Sequence, residues 1–220
     1  MTRTVVLLAA TLALSLAPAV QDATPAASRH DYAPPDGLAA PVASKLAKGG
    51  VRVALGGTAL DFWWVDALPA ESAPDSQPWS GVAEGTLLGA LRVDGEFRDI
   101  RARILKPGVY TLRYGLQPEN GDHLGVSPFR EFLVVSPAGL DTDPAPRGHD
   151  GSIELSKEAI GGSHPAVLSI DPPVAMQETL QLHTTQLDHQ AVVMEIPLQR
   201  DGKPAGALRF GVVLVGRIEA

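Results

Sequence analysis

Not one of the 220 residues is cysteine, which excludes a thiol nucleophile, a disulfide framework, a zinc–thiolate centre and lipid attachment through a cysteine. Without disulfides an exported domain must be held by its core, which a chain of roughly 150 residues or more can supply. Positive charge is also short: 18 Lys and Arg face 25 Asp and Glu, a formal net charge of −7. No basic surplus exists to displace counterions, so nucleic acid and anionic membranes are poor partners. Aromatic residues make up only 5% of the chain, leaving little material for a sugar-stacking platform. The longest apolar run, Val5–Leu16, falls below the about 20 residues that span a bilayer. "FGVVLVG" (Phe210–Gly216) is shorter still, and reads as a buried strand. Neither G-x-S-x-G nor H-E-x-x-H occurs, which removes the recognisable serine-elbow and zincin patterns.

What is present begins with a leader. Met1-Thr2-Arg3-Thr4 carries one positive charge, Val5–Leu16 is apolar, and Ala17-Pro18-Ala19 places small residues at the A-x-A positions. This is the pattern of a secretory signal peptide (1–19) cut after Ala19, and it predicts a periplasmic or extracellular bacterial protein with no membrane span once mature. Residues 20–48, rich in Ala, Pro, Asp and Ser, read as a flexible lead-in with a short helix from Pro41 to Lys48 ended by Gly49-Gly50.

From 49 to 220 the pattern is that of one β domain. "VRVALGG" and "TALDFWWVDAL" flank a Gly-Gly hairpin signal, and "TLLGALRV" runs up to the Asp94-Gly95 turn. "EFRDIRARIL" (Glu96–Leu105) alternates charged and apolar residues as a half-buried strand does. In "VYTLRYGL", Tyr110, Leu112, Tyr114 and Leu116 share one face. "FREFLVV", "AVLSI", "TLQLHTT" and a final hairpin turned by Asp201-Gly202 follow, and Ser156 is placed to cap a short helix ending at Gly161-Gly162. About ten short strands with one or two short helices predict an all-β fold, an antiparallel β-sandwich of jelly-roll or immunoglobulin-like type.

The run "LKPGVYTLRY" (Leu105–Tyr114) resembles the turn and strand of transthyretin-like regulatory modules that accompany carboxypeptidases, a likeness over about ten residues that implies a sandwich and carries over no catalytic residue. "LDFWW" and "YGLQPENGDHLG" look like uncharacterised exported β-sandwich proteins of environmental bacteria, which implies a location and no activity.

Candidate chemistry concentrates in the loop Gln117–Pro128, longer than a hairpin connection needs. Glu119, Asn120, Asp122 and His123 sit there together and offer donors, acceptors and cation ligands; the same residues also make an ordinary Asn-Gly turn. A divalent metal held by His123 and Asp122 with His183 or His189 is the sharper form of this reading. His183 and His189 are too far apart on an extended strand, and meet only if a turn forms at Gln186-Leu187-Asp188. Ser163 and His164 are sequence neighbours and point apart on an extended chain. Arg92, Arg98, Arg101, Arg103, Arg113 and Arg130 gather in the middle third, where Arg101, Arg103 and Arg113 suggest an outward guanidinium face for an anion beside the contact loop Glu119–Arg130, although cross-strand ion pairs use the same residues. Of adjacent Trp63 and Trp64, one enters the core, and the other, Trp63 or Trp64, is the candidate for an exposed glycan contact. The sequence therefore predicts a non-catalytic binding or accessory module of the cell envelope, with no cofactor and with a protein, glycan or small-molecule partner; a metal protein centred on His123 is the alternative, and a carbohydrate-binding module is the third.

Overall fold

The computed structural model describes residues 24–71, 79–118, 129–172 and 178–216, and these are mostly β with two helices. β1 (Ala26–His30) pairs antiparallel with β2 (Gly50–Leu55), which turns through Gly56-Gly57 into β3 (Thr58–Trp64). β4 (Leu68–Pro69) leaves this side of the sheet. The path continues through β5 (Leu87–Val93), β8 (Gly108–Leu116) and β9 (Glu131–Pro137), with β6 (Phe97–Arg98) and β7 (Ile104–Leu105) forming a separate ribbon between β5 and β8 in the chain. β10 (Ala166–Asp171), β11 (Leu182–Thr184), β12 (Gln190–Arg200) and β13 (Lys203–Val215) complete the sheet.

The hydrogen-bonded order is β1-β2-β3-β5-β8-β9-β10-β13-β12-β11, with β4 added parallel beside β12 and every other pair antiparallel. β10 is the pivot. Its residues Ala166–Ser169 pair with β9, whereas Ile170 and Asp171 pair with β13. Changing partners along one strand lets the twist accumulate into a curl. Phe210 of β13 consequently lies edge-on against Trp64 of β3, ring centroids 5.4 Å apart, and 5.1 Å from Trp79. Burying a residue of this class contributes about 1.5–3 kcal/mol, so this aromatic contact ties the distant arms of the sheet together.

Period-two alternation decides the core. Tyr110, Leu112 and Tyr114 join the main apolar cluster, as the sequence predicts, while Thr111 and Arg113 take the opposite face. The β12–β13 hairpin turns on Asp201 (φ 50°) and Gly202 (φ 71°), both left-handed as a two-residue hairpin turn requires.

Four local expectations change. Residues 26–30, read as irregular lead-in, form β1, because five backbone pairings with β2 supply what an aperiodic sequence does not signal. The helix read over Pro41–Lys48 is only α1 (Ala40–Ala43); Leu46 is already bridged to Val65. Glu96–Leu105 is not one strand: Asp99 Oδ1 accepts the N–H groups of Arg101 and Arg103 at 2.9 and 2.8 Å, Ala102 takes φ 59°, and the segment folds back so that β6 pairs β7. Ser156 does not start a helix. It lies inside α2 (His149–Ile160), fully buried, its Oγ 2.8 Å from the carbonyl oxygens of both Val135 and Ala166. Ser152 and Ala159 are buried on the same helix, and such small residues allow close approach to β9. Gly161 closes the helix in the left-handed region, its N–H on the Lys157 carbonyl. Among the described residues no helix is long and apolar enough to cross a membrane.

Candidate functional site

Glu119, Asn120, Asp122 and His123 lie outside the described residues. The foot of their loop is described: Gln117 N–H donates to the Arg130 carbonyl (2.8 Å), Arg130 Nε donates to the Gln117 carbonyl (2.9 Å), and Glu84 Oε1 accepts the Leu116 N–H while facing His149 Nδ1 at 2.7 Å. The remaining sequence candidates are dispersed.

Arg113 is not part of an outward face. Its strand parity does turn it away from the main core, but the chain after β9 folds over it and excludes water completely. Nε and Nη2 form a fork on Asp141 at 2.7 and 2.9 Å; Nη1 donates to the carbonyls of Gly85 and Ala145 at 2.7 and 2.8 Å; Nη2 also reaches the Asp143 carbonyl. All five N–H donors of the guanidinium are thereby used. Asp141 is buried too, which alone would raise its pKa, yet the hydrogen bonds from Arg113 and Thr111 and the charges of Arg113 and Arg147 hold it below the ordinary carboxylate value. Arg103 donates to the Pro165 carbonyl and Arg98 pairs with Glu96. Arg98, Arg103, Arg113 and Arg130 are thus engaged within the fold.

Trp63 is likewise not exposed. It is fully buried, its indole N–H donates to the Tyr32 carbonyl at 3.0 Å, and His30 tilts against it with centroids 4.8 Å apart. Trp64 and Trp79 are buried as well, so no described tryptophan presents an open ring face for a sugar. A turn does form between β11 and β12, but it does not bring His183 and His189 to a common ion. His183 Nε2 contacts Asp171 Oδ2 at 2.7 Å, whereas His189 is buried against Gly216. Burial raises the Asp171 pKa, only partly offset by His183. Among the described residues no group of three or more His, Cys, Asp or Glu is placed to hold a metal.

A cleft that the sequence does not announce lies where β1 and the Ala47–Val51 segment face Val193–Pro197 of β12, with a volume of about 340 Å³. Its construction depends on two glycines. At Gly49 (φ +80°) a Cβ would sit 2.6 Å from the His30 carbonyl oxygen, and at Gly50 it would sit 1.9 Å from the Phe62 carbonyl oxygen. Only glycine permits β1 to approach this closely and lets the His30 ring pass over β2 onto Trp63. Across the mouth, Arg29 Nη2 donates to Thr179 Oγ1 at 3.2 Å, and Leu180 N–H donates to the Val193 carbonyl at 2.9 Å.

The polar groups of this cleft are unbalanced. Trp64 is 6% exposed, and its Nε1–H is buried without a hydrogen-bond partner. Arg29 and Lys48 are solvent-exposed cations with no carboxylate partner among the described residues. The acidic residue of the lining, Glu195, is already paired with Arg209 Nε at 2.5 Å. Burial, reinforced by Arg92 and Arg52 and opposed by Asp61, lowers the pKa of His30 and keeps its ring neutral at pH 7. What remains is a surplus of positive charge from Arg29 and Lys48, with the His30 ring nitrogens left without a hydrogen-bond partner, beside apolar surface from Val51, Leu180 and Met194. A broader groove of about 590 Å³, walled by Asp143–Pro146, Asp66 and Lys45, carries charges of both signs, and none of its lining residues holds a buried polar atom without a partner.

Sequence reasoning missed Arg29, His30 and Lys48 because they fall in the stretch read as lead-in. The available signal was Gly49-Gly50, which marks a close backbone approach as well as a helix end. No family model, curated protein or solved structure matches this chain.

Proposed function

We propose that the chain is an exported, non-catalytic binding module of the bacterial cell envelope, and that the cleft between β1 and β12 is its ligand site. The observation that carries this reading is the pair of cations in the cleft lining, Arg29 and Lys48, exposed beside apolar side chains and without a carboxylate partner among the described residues. The cleft volume falls within the range of small-molecule pockets, and its lining combines apolar side chains with a few polar ends. A sandwich-like arrangement belongs to the same reading: Phe210 against Trp64 and Trp79 is what two facing layers require, and it would give the site a rigid back wall. Export rests on the leader pattern of residues 1–19.

The test is to express the full chain in a bacterial host, sequence the N-terminus of the processed protein, and extract it for small molecules by mass spectrometry. The expected result is cleavage after Ala19 and a ligand released from the wild type but not from Trp64→Ala. An uncleaved cytoplasmic product overturns the location, and a ligand retained equally by the variant overturns the site. Elemental analysis addresses the metal alternative, which requires stoichiometric metal that His123→Ala loses; the present reading expects none.

A further inference from the structure

We infer that the cleft between β1 and β12 takes a small amphiphile with an anionic, acceptor-rich head, a carboxylate or phosphate ester, and an apolar tail. This rests on the cleft being the ligand site. The head group follows from which polar ends are free. Arg29 spends one N–H on Thr179 and keeps the rest, Lys48 has no ion pair among the described residues, and the neutral His30 ring, neither of whose nitrogens has a hydrogen-bond partner, adds one donor and one acceptor. Against these stands one carboxylate, Glu195, neutralised by Arg209. A cationic ligand would meet two uncompensated positive charges.

The sign is notable in a protein of formal net charge −7: two cations without an ion pair among the described residues at one mouth run against the charge of the whole, as a site selecting anions would. The tail follows from Val51, Leu180, Met194 and Pro197, which line the same volume. Arg29 suits the head because its planar fork engages two oxygens of a carboxylate or phosphate at once, and Lys48 adds a point charge.

The probes are decanoate, decyl phosphate, decanol, decyltrimethylammonium and inorganic phosphate, each below its aggregation limit, titrated into the processed protein by calorimetry and tryptophan fluorescence. The anionic amphiphiles are expected to bind at least about tenfold more tightly than decanol, a factor worth 1.4 kcal/mol. Arg29→Gln/Lys48→Gln should erase that margin while leaving decanol affinity and thermal unfolding unchanged, and Trp64→Phe should remove the fluorescence response. The two anions distinguish a carboxylate from a phosphate head. Equal binding of decanol, preference for the ammonium, or inorganic phosphate competing as well as decyl phosphate overturns the ligand class and leaves the cleft as the site. An anionic margin over decanol that survives the double variant, or a fluorescence response that survives Trp64→Phe, places the ligand elsewhere and overturns the site itself. If Trp64→Phe does not fold, the double variant alone decides, since both of its positions are exposed.

Discussion

Two regions of this molecule bury polar groups and treat them in opposite ways. Around the Arg113 guanidinium every N–H has an acceptor: its five N–H groups meet Asp141 and three backbone carbonyls, and Asp141 also takes the Thr111 hydroxyl, while the neighbouring Ser136 hydroxyl is the one polar end there without a partner among the described residues. At the β1–β12 cleft donors are left over. A saturated network fixes a structure, because each member loses its partner if the loop moves. An unsaturated one costs stability in the empty protein and lowers the barrier to taking a ligand that completes it. The difference separates a structural arginine from binding ones, where strand alternation alone treats them alike.

The comparison breaks most visibly at Arg113. Arg113→Ala leaves Asp141 buried without its main counter-charge and is expected to lose about 3–5 kcal/mol in urea unfolding. Arg113→Met/Asp141→Leu removes both charges and should lose less than the single variant; a double variant at least as unstable as Arg113→Ala would show that the pair is not the unit that matters. Next in size is Gly50→Ala, whose new Cβ would collide with the Phe62 backbone oxygen and crowd the His30 ring. A loss of about 1–3 kcal/mol is expected, together with loss of ligand from the cleft, measured by denaturation and by extraction.

The two regions also answer differently to acid. His30 has a folded pKa below its unfolded value of 6.5, so the unfolded chain binds the extra proton and stability falls as pH drops from about 6.5 toward that lower value. Asp141 is depressed below 3.8, so its contribution is present above that pH and is lost only as pH falls through the depressed value. His30→Phe should therefore flatten the upper part of a melting-temperature profile while leaving the lower part; a profile unchanged by the substitution would remove His30 as the sensor. The smallest effect belongs to Arg29→Gln/Lys48→Gln, which should alter stability by no more than about 0.5 kcal/mol, because these cations form no ion pair among the described residues. A larger loss would move them from the binding group to the structural one.

Legibility in the sequence follows the range of the interaction. The β12–β13 turn was readable because Asp201-Gly202 carries its own backbone preference. The core face of β8 was readable because alternation at Tyr110, Leu112 and Tyr114 is local. Glu96–Leu105 alternates just as well and is not a continuous strand, since the Asp99 carboxylate captures two backbone N–H groups that a ladder would need. β1 had no pattern at all; its pairing partner, behind a glycine pair nearly twenty residues on, creates it. For the site, the expected outward Arg113 had the right strand parity and the wrong surroundings, because the cover comes from Asp141–Ala145, and Trp63 is covered by Tyr32.

From its sequence alone this protein is mostly β, acidic, free of thiol chemistry and punctuated by glycine turns, because composition and period-two patterning act within a few residues. Which polar groups are sealed and which are left open was decided only by the curled sheet. It folds the chain after β9 over Arg113, and it sets β12 against β1 at a distance that leaves Arg29 and Lys48 without a carboxylate partner among the described residues. Saturation of a hydrogen bond depends on partners remote in the chain, and no local signal records them.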